Sequence, residues 1–203
     1  SDPALLKSEW GKKVHDLAKT GTIEGQGAAF NMWIAAMQEL KDPFKGQEET
    51  MARPAWNRIT AAAEKYNEPG RFTAIIGFEW TSGPDGNNLH RNVLFRDGKD
   101  KADQIIPLSY YDTGDPEDLW KWMAATEEKT GSEVLAIAHN GNMSNGLMFP
   151  MVEAFGRPLD RAYAEERARW ERLYETSQTK GTGEAYPFLS PNDEFADYEK
   201  WDK

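Results

Sequence analysis

Short apolar runs, closed off by glycine, proline and polar clusters and separated by stretches of helical spacing, constrain this chain more than any other feature. Phe72 to Phe78 (FTAIIGF) lies between Pro69-Gly70 and a Ser82-Gly83-Pro84-Asp85-Gly86 cluster, which suits a buried strand better than a helix. Asn92 to Phe95 and Gln104 to Leu108 read as strands. Glu133 to His139 (EVLAIAH) reads as a fully buried one, and Leu173 to Gln178 as the last. Between them, Asp115 supplies an N-cap, Pro116 an N1 proline, and Glu117 and Asp118 an acidic first turn. The helix they open presents Leu119, Trp122 and Met123 and closes near Gly131. A charged helix is expected over 159–171. Strand, helix, strand, helix, strand is the α/β signature.

The first seventy residues read as helical. Asp2 and Pro3 suggest a cap and first helical position, with Leu6, Trp10, Val14 and Leu17 at helical spacing and Gly21 as the stop. A second helix is expected over about 28–40, carrying Phe30, Trp33, Ile34, Met37 and Leu40. A third begins near Pro54 and runs through Trp56, Ile59, Ala63 and Tyr66 until Pro69-Gly70 ends it. These read as an insertion or lid before strands and helices over 71–203, with no linker that would separate two domains.

Composition narrows the function classes. Nine Phe, eight Trp and seven Tyr in 203 residues are too many for a disordered chain, and that length supports a sizeable core. No apolar run approaches the roughly 18 residues that span a bilayer, so no membrane partner is expected. Without cysteine there is no disulfide framework, thiolate zinc site or cysteine nucleophile; a bound metal must use imidazole and carboxylate. A net charge of −10 argues against a nucleic-acid partner, because phosphate-backbone binding needs clustered Lys and Arg.

Polar residues at the ends of buried strands are the informative ones, because α/β folds build sites there. Glu79 follows FTAIIGF, His139 ends EVLAIAH, and Glu175 lies in LYETSQ. If Gly83 to Gly86 is a four-residue turn, Ser82 faces Asn87 and Glu79 faces His90, with Cβ atoms about 5 Å apart. A two-residue turn on Asp85-Gly86 puts Asn92 opposite Glu79 instead. Two of the three histidines, His90 and His139, lie in Asn- and Gly-rich segments, NNLHRN and HNGNMSNG. Glu79, His90 and His139 form a partial ligand set for zinc, manganese or iron, and such an ion lowers the pKa of a bound water. Arg91, beside His90, can hold a phosphate or carboxylate in bidentate fashion, the loop with Asn140 and Asn142 is polar and shaped to hold something, and Lys180 to Glu184 is a weaker, Gly-rich match to an anion cradle. Arg91, Asn88, Asn140, Asn142, Lys180 and Glu184 are thus the expected substrate-binding residues. A single histidine after a strand is more often a hydrogen-bonded structural residue. The rival class is therefore a non-catalytic binding module for a sugar or peptide, with structural histidines. His15, between Lys13 and Asp16, reads as merely exposed.

Four segments carry a resemblance: Gly77 to Asp97, Asp115 to Met123, Leu135 to Phe149 and Lys180 to Phe195. The chain resembles the bacterial domain-of-unknown-function 3604 family, itself similar to the PHP (polymerase and histidinol phosphatase) superfamily of metal-dependent phosphoesterases. The resemblance implies part of a distorted (β/α)7 barrel with two or three metal ions at the C-terminal ends of its strands. By motif, Glu79 corresponds to a metal-bridging carboxylate, and His90 and His139 to histidine ligands. It implies hydrolysis of a small ester or phosphoester by metal-activated water. The opening His-x-His strand, the Asp-His motif that follows it and the closing Asp-x-His motif of such proteins are missing, so this chain is expected to be a central portion completed by flanking segments. Tyr186 stands where the family is expected to carry histidine.

Overall fold

The computed structural model describes Pro3, residues 5–182, Pro187, Phe188, Pro191, Asn192 and Glu194. Several of its helices begin where a side chain satisfies a free N–H group of the first turn. Ser8 accepts from Gly11 N at 2.9 Å and opens α1 (Glu9–Lys19). The expected cap at Asp2 lies outside the described residues. Thr22 accepts from Gly25 N at 3.0 Å and opens α2 (Ile23–Gln38), earlier than the apolar spacing places it. Trp10 of α1 packs edge-on against Trp33 of α2 and Phe44 beyond it, with ring centroids 4.5 and 5.7 Å apart.

α3 (Ala52–Tyr66) is followed by β1 (Ile76–Trp80), β2 (Arg91–Phe95), a single turn α4 (Lys99–Ala102) and α5 (Pro116–Thr130). Then come β3 (Val134–Ala138), a two-residue hairpin pair β4 (Glu153–Ala154) and β5 (Arg157–Pro158), and α6 (Arg161–Trp170). β6 (Leu173–Tyr174), β7 (Ser177–Gln178) and β8 (Gly181–Thr182) complete the order. The main sheet runs β1-β2-β3-β6; its first two pairings are antiparallel, and β3 to β6 is parallel through the α6 crossover. Helices and strands thus mix as an α/β chain should. The sheets are open, and no closed barrel forms among the described residues.

Strand alternation divides the main sheet into two faces. Ile76, Trp80, Val93, Phe95, Val134, Ala136 and Ala138 are buried on one face. Trp56 of α3, Leu119, Trp120 and Met123 of α5, and Trp170 at the end of α6 pack against it. Trp56 also donates from Nε1 to Ala102 O at 2.8 Å, so α3 belongs to the sheet's core while α1 and α2 pack on each other. The other face carries Gly77, Glu79, Asn92, Leu94, Leu135 and Ile137 and is only partly covered.

Three expected strands differ. Phe72 to Phe78 is regular strand only from Ile76, where β1 begins, and Phe72 and Ile75 are exposed rather than buried. Gln104 to Leu108 forms no strand: Lys129 Nζ donates to Gln104 O and Arg53 Nη1 to Ile105 O, both at 2.8 Å, so side chains rather than a neighbouring strand take these carbonyls. Leu173 to Gln178 is not continuous. Leu173 and Tyr174 join the main sheet, whereas Ser177 and Gln178 turn away to pair with Thr182 and Gly181.

The α5 start matches its sequence signature, with the Asp115 carboxylate accepting from Glu117 N at 2.9 Å. Asp115 and Glu117 also hold Arg157 of β5. Asp115→Ala is expected to cost about 1 kcal/mol or somewhat more from the lost cap. A lowering of the thermal midpoint by roughly 2–4 °C checks it.

Candidate metal centre

β1 and β2 pair with Glu79 opposite Asn92 and Trp80 opposite Arg91. Leu89 N donates to Ser82 O at 3.0 Å, which extends that register to the loop. Glu79 therefore does not face His90 directly, as a four-residue turn would require. The loop contains a short 3-10 turn at Pro84–Gly86 with Asp85 at φ 52°, a left-handed conformation that aspartate tolerates better than most residues. His90 is instead the diagonal neighbour of Glu79, two residues from Asn92 on the same face. Diagonal neighbours remain within reach of long side chains. The contact forms anyway: His90 Nδ1 lies 2.8 Å from Glu79 Oε1.

The second histidine arrives by the other pairing. β2 and β3 run with Arg91 opposite Ala138, so the next pair outward is His90 with His139, and His139 N donates to His90 O at 3.1 Å. Their ring centroids are 5.7 Å apart, and His139 Nδ1 lies 3.9 Å from Glu79 Oε1. One ligand atom from each of the three residues falls within 4.8 Å of the others. The cluster occupies the C-terminal ends of β1 and β3, the edge of an α/β sheet where sites are built. Glu79 lies inside β1 rather than after it, at 43% side-chain exposure, against 22% for His90 and 13% for His139. The histidines are walled in while the carboxylate meets solvent.

The donor set fits a transition metal. Metal–ligand bonds of 2.0–2.2 Å put tetrahedral donors about 3.4 Å apart, so closing a set of this spread onto an ion takes side-chain movements of roughly an ångström. Burial is the largest influence on His90 and pushes its pKa below the ordinary imidazole value, against the opposing pull of Glu79. A neutral ring keeps the lone pair that a metal needs.

The asparagines of the HNGN loop hold backbone. Asn140 is fully buried; its N–H donates to Glu175 Oε2 at 3.1 Å, and its Nδ2 donates to Gly181 O at 2.7 Å. Asn142 Nδ2 donates to Lys180 O. Asn88 donates its N–H to Met143 O at 2.9 Å, while its side-chain oxygen accepts from His90 N at 3.4 Å. Lys180 sits in the β7–β8 turn, and its ammonium interacts electrostatically with Glu175 and Glu79. Tyr174 and Glu175, at the end of β6, complete the surroundings; the Tyr174 hydroxyl accepts from Gly141 N at 2.6 Å. Tyr174 is missed by sequence reasoning, since a tyrosine in a strand signals only packing. Glu184 and Tyr186 lie outside the described residues.

Arg91 is placed elsewhere. It is 1% exposed on the core face, where its Nε donates to Glu171 Oε1 at 2.9 Å and its Nη1 donates to Leu89 O. Trp120 Nε1 donates to the same carboxylate oxygen at 2.9 Å, and Arg167 ion-pairs with Oε2 at 2.9 Å. The physical reason is strand alternation: His90 and Arg91 are consecutive and project from opposite faces. Arg91 instead shares a face with Val93 and Phe95, a pattern already readable in RNVLF. A guanidinium committed to Glu171 does not reach across the sheet to a substrate.

Fold and site together define a mixed α/β protein with an imidazole–carboxylate cluster at one end of an open sheet. The chain belongs to the DUF3604 family, whose model, described as "Protein of unknown function (DUF3604)", matches residues 1–203. No curated protein and no solved structure matches it. No helix among the described residues is long and apolar enough to cross a membrane.

Proposed function

We propose that this protein is a metal-dependent hydrolase acting on a small phosphoester or similar ester, and that its open sheet is part of a PHP-like barrel. One observation carries the reading: two β-pairings of different origin deliver Glu79, His90 and His139 to one place, with ligand atoms within 4.8 Å. Zinc, manganese or iron suits such donors. When bound, the ion lowers the pKa of a water and polarises the ester oxygen. Glu79 holds His90 Nδ1 and so fixes the orientation of that ring. The solvent-facing side of Glu79 is the side from which substrate and water arrive.

The test is hydrolysis of chromogenic phosphomonoesters, phosphodiesters and carboxylate esters after loading with zinc, manganese or iron. At least one substrate should be cleaved, with activity lost on chelation and restored by metal. Hydrolysis that a chelator leaves unchanged would contradict the proposal.

A further inference from the structure

The sequence offers two basic residues near the cluster, Arg91 and Lys180, and the structure removes the first from consideration by pairing it with Glu171 in the core. Lys180 is different. Its Nζ is shielded from solvent and has no hydrogen-bond partner among the described residues. An ammonium carries three donors and is costly to bury with none of them hydrogen-bonded unless something completes it. Its surroundings are built rather than accidental. Asn142 Nδ2 donates to the Lys180 carbonyl, Asn140 Nδ2 donates to the neighbouring Gly181 O, and the Asn140 N–H and Gln178 Nε2 both reach Glu175 Oε2. The loop that follows His139 thus clamps the β7–β8 turn from which Lys180 projects. Glu79 and Glu175 both exert a Coulombic pull on the ammonium, and Lys180 in turn acts on His90.

We propose that Lys180 is the specificity-determining residue of this site, binding an anionic oxygen of a phosphate-like substrate, and that Asn140 and Asn142 are its positioning residues. The role follows from charge. A chain of net charge −10 repels an anion, and the carboxylates of Glu79 in the cluster and Glu175 beside the HNGN loop add to that locally. A fixed ammonium beside them supplies the local attraction that a phosphate requires and a neutral ester does not. The asparagines, expected from sequence to touch substrate, act through the turn they hold.

The proposal rests on the metal-site reading only for where the substrate lies, and the test separates the two. Inorganic phosphate is titrated calorimetrically into the full chain, both metal-loaded and chelator-stripped, with metal content measured on each sample. Lys180→Met should weaken phosphate binding about tenfold or more at unchanged metal content. Lys180→Arg should retain most of it, and Lys65→Met, an exposed lysine on α3, should change nothing. Asn142→Ala should weaken binding in the wild-type background and have no further effect beside Lys180→Met. Phosphate binding by Lys180→Met equal to wild type overturns the proposal and leaves the metal reading standing. A wild type that holds no metal, yet loses phosphate with Lys180→Met, overturns the metal reading and supports this one. Failure of the wild type to bind phosphate in either form overturns the proposal outright.

Discussion

Glu171→Ala is expected to destabilise the protein by about 3–5 kcal/mol, the range for breaking a buried charge pair from one side. The carboxylate is 1% exposed and receives Arg91, Arg167 and Trp120 together. Burial acts to raise its pKa, but the two guanidiniums outweigh that and hold it below the ordinary glutamate value. Removing it strands two cations in a core that also contains Trp80, Val93 and Trp170. Against a net stability of roughly 5–15 kcal/mol, that loss is a large fraction. The consequence reaches the site, because Arg91 Nη1 also holds Leu89 O, immediately before His90. Urea unfolding should show a markedly lower midpoint for Glu171→Ala, and for Glu171→Gln as well, since glutamine keeps a hydrogen-bond acceptor but not the charge. An unchanged midpoint in both would mean that the network is not load-sharing in the core.

His139→Ala should separate function from fold. The ring lies on the partly open face, and its backbone N–H, which pairs with His90 O, is retained in alanine. Stability should therefore change little, whereas metal affinity should fall by more than about 100-fold, above the 10–100-fold that loss of an outer-shell partner costs. Competition with a chromogenic chelator measures the affinity, and circular dichroism with a urea titration checks the fold. A variant that binds metal like wild type removes His139 from the ligand set.

What was legible in the sequence was mostly local. The α5 start at Asp115-Pro116 is decided within one turn, so cap, proline and stop at Gly131 are all where the residues place them. EVLAIAH is equally legible, because a run buried on one face and half-buried on the other leaves few alternatives. Register was not. The loop offered two turns, and the one centred on Asp85-Gly86, with both residues at positive φ, sets Glu79 opposite Asn92; the Asp-Gly pair signals that turn but the flanking Gly83-Pro84 left the longer one open. The two side chains met regardless because side-chain reach absorbs a two-residue slip along one face. Gln104 to Leu108 failed as a strand for a non-local reason: Arg53 and Lys129, both distant in sequence, supply the partners of Ile105 O and Gln104 O. Arg91 failed as a substrate ligand although the period-two pattern of its own strand was available to show which way it points. Glu171 carried no signal of its own, since an acidic residue after an amphipathic helix is ordinarily solvated.

The central claim is that Glu79, His90 and His139 hold a catalytic transition metal, and elemental analysis of the protein purified without chelators tests it most directly. The account predicts about one or more equivalents of zinc, manganese or iron per chain, reduced sharply by His139→Ala and by Glu79→Ala while both variants remain folded. Metal-free wild-type protein that also takes up none from micromolar solutions of these ions would contradict it.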